Sequence, residues 1–413
     1  MSDRKELRPP TFSARLISLA ALTTVSVALG VGMKLSQSKG GYEYSPAGAV
    51  VMTEIFKLGV TLLIIWRLAR AREIVTQSPP PSVISNMIRI FTENVTWDLI
   101  QREFLLSLAY AFVNVVTFPI FIYMSASEFY LLKAASPVVT ALLLRVVSHT
   151  SISRLCWLAI IMQCLGLVVT QVNLCNGMTT SPPLGYILMV ANMVFSCLAG
   201  VYNEKIIKTQ NSSLNAQNVI LYCFGILLNT VLHFAVPAKY LGIAKKPGFF
   251  DGYSPSALLV VFSNGSVGLV ISAVYKYADV VVKTFGVASS TSVLFVLESL
   301  GLVPRGREKP SLSLTLCGAT VIFYAAYVYI APEPNGSTVY ARLETEDAGD
   351  EGAAKKIPTL KGVKTNAEGT VEAAAPPLHL RRVCKNGGGH AFVLFLMGAV
   401  TVSVIFFEYE GCA

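Results

Sequence analysis

The chain has 413 residues, of which 53% are hydrophobic and only 14% charged. A soluble domain carries about 25% charged residues, so this balance argues against one and points to a membrane protein. The net charge of +9 then belongs to loops and tails beside lipid headgroups rather than to a nucleic-acid-binding surface.

Arg4, Lys5, Arg8 and Arg15 precede an apolar run from Leu16 to Met33. The run is long for the core of a signal peptide and lacks a small-residue cleavage site, so it reads as a first transmembrane helix with the N-terminal tail, 1–15, in the cytosol. A bilayer needs about 20 apolar residues per helix. Ten such runs are expected, at 16–34, 46–68, 104–124, 128–147, 154–172, 184–203, 216–236, 257–275, 280–303 and 311–331. Arg67, Arg70 and Arg72, Arg145 and Arg154, and Lys205 and Lys208 then fall at cytosolic connections, as the positive-inside rule asks. Two far-side loops run against it, with Lys239, Lys245 and Lys246 in one and Arg305, Arg307 and Lys309 in the other. Residues 332–390 are polar and read as a disordered segment. The apolar run Ala391 to Phe407 reads as an extra membrane helix, with a tail anchor or an interfacial segment as alternatives. Four glycosylation acceptor patterns begin at Asn94, Asn211, Asn264 and Asn335; this topology puts three on the cytosolic side and one inside a helix, so none is expected to be modified.

The two halves share a faint likeness. Tyr123-Met-Ser-Ala126 leads to Lys133 and then Ser136-Pro-Val-Val-Thr140, while Tyr275-Lys-Tyr-Ala278 leads to Lys283 and then Ser289-Ser-Thr-Ser292. Transporters built from internal repeats hold their substrate near the midplane between them, and here each half carries one intramembrane lysine. A charge deep in a bilayer costs about 2.5–3.5 kcal/mol on insertion scales. An ammonium kept there either holds an anion such as phosphate, snorkels to the interface, or pairs with a neighbouring carboxylate, Glu128 for Lys133 and Asp279 for Lys283. Tyr110 and Asn114 lie one turn apart, as do Asn218 and Tyr222; each pair suits a nucleobase, and each equally suits helix–helix hydrogen bonding. Glu54 and Lys57, three apart, are expected to satisfy each other. Glu204 and Lys205 are expected to be structural at a helix boundary, and Glu298 to pair near Arg305.

Several of the eight Cys (Cys156, Cys164, Cys197, Cys223, Cys317) fall in apolar runs and read as small buried hydrophobes. The four His are scattered without metal-ligand spacing, and no phosphate-binding G-x-x-x-x-G-K-[ST] loop is present. Neither an enzyme, nor a cofactor-bearing protein, nor an ATP-driven pump is indicated.

The motifs together resemble the nucleotide-sugar transporters of the Golgi and endoplasmic reticulum, of the CMP-sialic acid and UDP-galactose type. Thr53-Glu54-Ile-Phe-Lys57-Leu is similar to the family's T-E-x-x-K-L, Leu108-Ala-Tyr110-Ala-x-x-Asn114 to its L-x-Y-A-x-x-N, and Tyr130-Leu-Leu-Lys133 to its Y-Q-L-K. Ala199-Gly200-Val-Tyr-Asn203-Glu204-Lys205 with Asn218-x-x-x-Tyr222 resembles A-G-V-x-x-E-K followed by N-x-x-x-Y, and Lys276-Tyr277-Ala278-Asp279 with Lys283 resembles K-Y-x-D-x-x-x-K. The likeness covers roughly residues 46–330. It departs at Leu131, where the family has Gln, at Ala126, where it often has Tyr, and at Val280, where Asn is common.

The resemblance implies an all-α membrane protein with a ten-helix drug/metabolite-transporter fold built from two repeats over 16–331. It implies exchange of a cytosolic nucleotide sugar for a lumenal nucleoside monophosphate in a Golgi or endoplasmic-reticulum membrane. A UDP-sugar is favoured because the family uses uridine donors most widely, and a homodimer is left open. Tyr110, Asn114, Lys133, Ser196, Asn218, Tyr222 and Lys283 match family positions that line the nucleotide site. The alternatives are a related carrier of a phosphorylated sugar or small metabolite, and a membrane scaffold presenting its tail.

Overall fold

The computed structural model describes residues 11–36, 44–75, 83–92, 95–124, 126–171, 182–237, 248–303, 312–331 and 341–342. The polar segment 332–390, apart from residues 341–342, and the apolar run 391–407 lie outside them. Twelve helices are described: α1 (Phe12–Ser36), α2 (Pro46–Val75), α3 (Val83–Thr92), α4 (Trp97–Tyr123), α5 (Ala126–Lys133), α6 (Ser136–Ser148), α7 (Arg154–Gln171), α8 (Pro183–Thr209), α9 (Leu214–Ala235), α10 (Pro255–Tyr277), α11 (Val280–Ser299) and α12 (Leu312–Ile330). A two-residue antiparallel pairing joins Thr150–Ser151 to Ala341–Arg342. Of the described helices seven are long and apolar enough to cross a membrane: α1, α2, α8, α9, α10, α11 and α12. Their outward faces carry unburied Leu62, Leu63, Trp66, Ile187, Leu227 and Phe323, as a lipid-facing surface does.

Local chemistry sets the helix ends. The side chains of Thr96, Ser213, Ser254 and Asp279 accept from the backbone N–H of Leu99, Ala216, Ala257 and Val282, at 2.8–3.2 Å, and so start α4, α9, α10 and α11. In the first turn of α4, ahead of the expected span, Arg102 Nε donates to Asp98 at 2.7 Å and holds that carboxyl below its ordinary range.

Three expectations need correction. The fourth run is not one helix: it breaks between Lys133 and Ser136, because Pro137 has no N–H to give the Lys133 carbonyl and its ring crowds that carbonyl. The ninth run stops at Ser299 rather than residue 303. Gly301 takes φ 76°, Gly301 N–H returns to the Glu298 carbonyl and Leu302 N–H to that of Leu297, which is the glycine-closed end of a helix. Between the second and third runs lies the unforeseen α3, whose Ile90 and Asn86 are buried while Ile84 and Ile88 stay exposed.

The packing pairs elements from the two halves of the chain. α1 packs on α10 and α11, α2 on α9 and α10, α4 on α8 and α9, α6 on α8, and α7 on α12. The largest buried cluster joins α1, α6, α7, α8, α10, α11 and α12, with Leu22, Ile160, Val274, Tyr275, Phe285 and Tyr329 all at 0% exposure. Small residues allow the closest approach: a Cβ on Gly318 of α12 would lie 2.6 Å from the Gly166 carbonyl of α7.

At one end of the bundle, α8 holds three neighbours. Glu204 pairs with Lys208 and accepts the Val280 N–H at 2.9 Å, Lys208 donates to the Ala278 carbonyl at 2.8 Å, and Lys205 donates to the Val147 carbonyl at 3.0 Å. The boundary role read for Glu204 and Lys205 is thus a clamp on the α10–α11 turn and on the end of α6. Elsewhere, Glu298 of α11 pairs with Lys34 of α1; Arg305 lies outside the described residues.

Candidate functional site

Two cavities lie between the halves, and Lys283 borders both. The first, about 290 Å³, is lined by Lys133, Ser136, Thr140, Ser196, Cys197, Gly200, Thr284 and Thr291 among its polar and small groups, with Leu167, Met193, Val280 and Val287 as apolar wall. The second, about 250 Å³, is lined by Glu54, Lys57, Ser107, Tyr110, Asn114, Asn203, Tyr222, Asn229, Asn264, Ser272 and Lys283, among others. Together they fall in the range of about 300–1,000 Å³ typical of small-molecule sites.

The helix break places Lys133. Ending α5 at that residue puts its ammonium at a helix C-terminus, where the backbone dipole favours a cation. Its Nζ lies 5.2 Å from the Phe129 ring centre, and Lys283 Nζ lies 5.6 Å from that of Tyr275. The two carboxylates considered as partners are engaged elsewhere. Glu128 accepts from the Tyr186 hydroxyl at 3.3 Å, and Asp279 accepts from Val282 N–H and, at 3.4 Å, from the Tyr329 hydroxyl. Among the described residues no carboxylate pairs with Lys133 or Lys283. Two lysines on one cavity wall, with no carboxylate beside them among the described residues, are chemically suited to the oxygens of a phosphate-type anion.

The second cavity is different in character. Asn203 Nδ2 donates to the Tyr110 hydroxyl at 3.1 Å, and Asn114 Nδ2 to Asn229 Oδ1 at 3.4 Å, so α4 is tied to α8 and α9 through groups that also face the cavity. Lys57 donates to Glu54 at 2.6 Å and lies 4.3 Å from the Tyr222 ring centre. The ion pair fits because Gly225 and Gly268 face it: a Cβ on Gly225 would sit 3.1 Å from the Glu54 carboxyl, and one on Gly268 2.8 Å from Lys57 Cδ. Amides, phenols and an internally neutralised pair offer both donors and acceptors to a hydroxyl-rich or heteroaromatic group.

Of the seven sequence-derived site residues, the structure puts Lys133 and Ser196 on the first cavity, Tyr110, Asn114 and Tyr222 on the second, and Lys283 on both. Asn218 borders neither; it is buried and accepts from Ser272 Oγ at 3.1 Å, and Ser272 faces the second cavity. Sequence reasoning passed over Asn203, Asn229, Asn264 and Thr284 as wall residues, and read Glu54 and Lys57 only as partners of each other. Their shared signal was a polar group inside an apolar run. The departure Val280 lines the first cavity; the side chains of Ala126 and Leu131 lie outside the described residues.

Residues 10–330 match the family described as Nucleotide-sugar transporter. The chain belongs to that family. It is 33% identical over 319 residues to CMP-sialic acid transporter 1 of Arabidopsis thaliana, which spans 75% of this chain and 88% of that protein. It is 30% identical to CMP-sialic acid transporter 1 of Oryza sativa subsp. japonica, over 76% of this chain and 93% of that one. The UDP-galactose translocator of Homo sapiens is 28% identical, over 79% and 81%. Membership makes the chain a transporter of nucleotide sugars and a multi-pass membrane protein.

Proposed function

We propose that the chain is an antiporter that exchanges a cytosolic nucleotide sugar, a UDP-sugar in preference, for a lumenal nucleoside monophosphate across a Golgi or endoplasmic-reticulum membrane. The observation that carries this reading is Lys283, which borders both cavities without a carboxylate partner among the described residues. A phosphate at Lys283 would direct one end of a nucleotide sugar into each cavity. In this assignment Lys283 and Lys133 hold phosphate oxygens, Ser196 adds a hydroxyl beside them, and Tyr110, Asn114 and Tyr222 recognise base and ribose, with Asn218 steadying Ser272.

The packing supports a ten-helix arrangement of two repeats. Let the first five spans be α1, α2, α4, α5–α6 and α7, and the last five α8 to α12. Moving each partner to its counterpart in the other half turns α4–α8 packing into α10–α1, α4–α9 into α10–α2, α6–α8 into α11–α1, and α6–α7 into α11–α12. All of these contacts occur, and α2–α9, α6–α11 and α7–α12 map onto themselves. Lys133 and Lys283 then lie on corresponding spans. Such a relation is what alternating access by rocking of one repeat against the other requires.

The test is a thermal-shift panel of UMP, CMP, GMP and AMP on the purified protein, followed by counterflow in proteoliposomes. One monophosphate should stabilise the protein above the rest and, loaded inside, should drive uptake of its own nucleotide sugar. Stabilisation by UMP is the result expected; equal response to all four, or to none, overturns the reading.

A further inference from the structure

Glu103 is a buried charged side chain that lines neither cavity. It is 1% exposed, lies on the seam of α4 between Leu99 and Leu106, and its Oε2 has no hydrogen-bond partner among the described residues. The cluster around that seam is apolar: Leu99, Leu106, Ala199, Ile206 and Ile220. Gln217 of α9 is also buried, at 2%, and its Oε1 is likewise unpartnered, although its Nε2 donates to Ser212. The register between the two helices is fixed by Ser107 Oγ on the Leu221 carbonyl and Asn114 on Asn229, offsets of 114 and 115 residues. The same offset puts Glu103 level with Gln217. Two buried acceptors at one level, with no donor bonded to either among the described residues, lack one hydrogen. An unpaired carboxylate in such surroundings takes a proton rather than remain charged.

Among the described residues no cation pairs with Glu103, and Lys57, which lies over the Tyr222 ring, is held by Glu54. Tyr110 on α4 and Tyr222 on α9 are phenols, Glu204 and Lys208 of α8 pair with each other, and Lys205 is held by the Val147 carbonyl. Arg102, beside Tyr202, is engaged by Asp98, and Arg89 of α3 is exposed. Ser107, one turn beyond Glu103, already belongs to the wall of the second cavity.

We propose that Glu103 is a proton-binding site of the transporter: its carboxyl carries a proton, shared toward Gln217, while α4 packs on α8 and α9, and releases it when the membrane face at which α4 begins opens to water. The inference rests on the alternating-access reading, and gives exchange a pH dependence at that face. Alkaline solution there favours the open, ionised state, and acid the closed one.

The experiment compares the full-length wild type with E103Q, with E103L as a second probe that suits the apolar seam. Infrared spectra of the purified proteins should show a protonated-carboxyl C=O band in the wild type that both variants lack. Counterflow of UMP is then measured with the pH of that face varied from about 7 to about 9, above the second phosphate ionisation near 6. Wild-type exchange should change by about tenfold across the window and E103Q by less than about twofold. An unchanged infrared band in both variants, or a variant pH profile parallel to the wild type, overturns the proposal. If no monophosphate is exchanged at all, the antiport reading fails, and the infrared comparison still decides the protonation of Glu103.

Discussion

Replacing Lys283 by Ala separates binding from folding. Among the described residues Lys283 has no carboxylate partner, and its Nζ lies 5.6 Å from the centre of the Tyr275 ring. Such a contact contributes about 0.5–2 kcal/mol, while a half-buried ammonium carries a desolvation cost that the substitution removes. The two nearly cancel, so the melting temperature of the empty protein should hold or rise slightly. Binding is another matter. With a phosphate in place, removing its cation leaves a desolvated anion, a loss of about 2–5 kcal/mol, or roughly thirtyfold to several-thousandfold in affinity. Exchange in proteoliposomes should therefore be abolished while the variant keeps the size-exclusion profile and circular-dichroism spectrum of the wild type. Retained uptake by a folded K283A protein would refute the phosphate role. A collapsed melting temperature would refute the claim that Lys283 is unpaired.

Lys133→Ala should weaken the monophosphate thermal shift less than Lys283→Ala, since Lys133 borders only the first cavity; an equal or larger loss would place the phosphate nearer α5. Gly318→Ala forces a methyl within 2.6 Å of the Gly166 carbonyl and should cost about 1–3 kcal/mol in stability. Gly59→Ala, where an added Cβ meets nothing within 4 Å beyond its own helix backbone, should hold or slightly raise the melting temperature in the same assay. Glu204→Ala should destabilise more than Glu204→Gln, by about 1–3 kcal/mol against the wild type, because Gln still offers an acceptor to the Val280 N–H; the reverse order in thermal melts would mean that the Lys208 ion pair, not the backbone contact, carries the clamp.

The helical membrane class was legible because 20-residue apolar runs leave lipid little alternative: every backbone polar group must be bonded within its own segment. The lysines were legible for the complementary reason, that a charge in such a run is conspicuous. What hydropathy could not locate was where those runs break. Pro137 cuts the fourth run because of a missing N–H four residues after Lys133, an effect that hydropathy does not register although the residue is in plain view. Likewise Gly301 ends α11 by adopting a positive φ inside a stretch that still reads as apolar. The ten-residue α3 is too short for a span, and its apolar positions follow a helical period that a bilayer-length window averages away.

The site was legible by residue type but not by arrangement. Glu54 and Lys57 are three apart and do bond each other, as their spacing says. That they also face a cavity depends on Gly225 and Gly268, which stand opposite them on α9 and α10 and leave room no local pattern encodes. Asn218 makes the converse point. It shares a helical face with Tyr222, yet Ser272 of α10 takes its carbonyl oxygen and stands between it and the space that Tyr222 reaches. A polar group in an apolar helix must find a partner, and sequence spacing identifies the group while packing across helices decides the partner. For Lys283 the packing provides no carboxylate among the described residues, which is why that half-buried residue, rather than the more deeply buried and already bonded Asn218, is the one on which a ligand has to be sought.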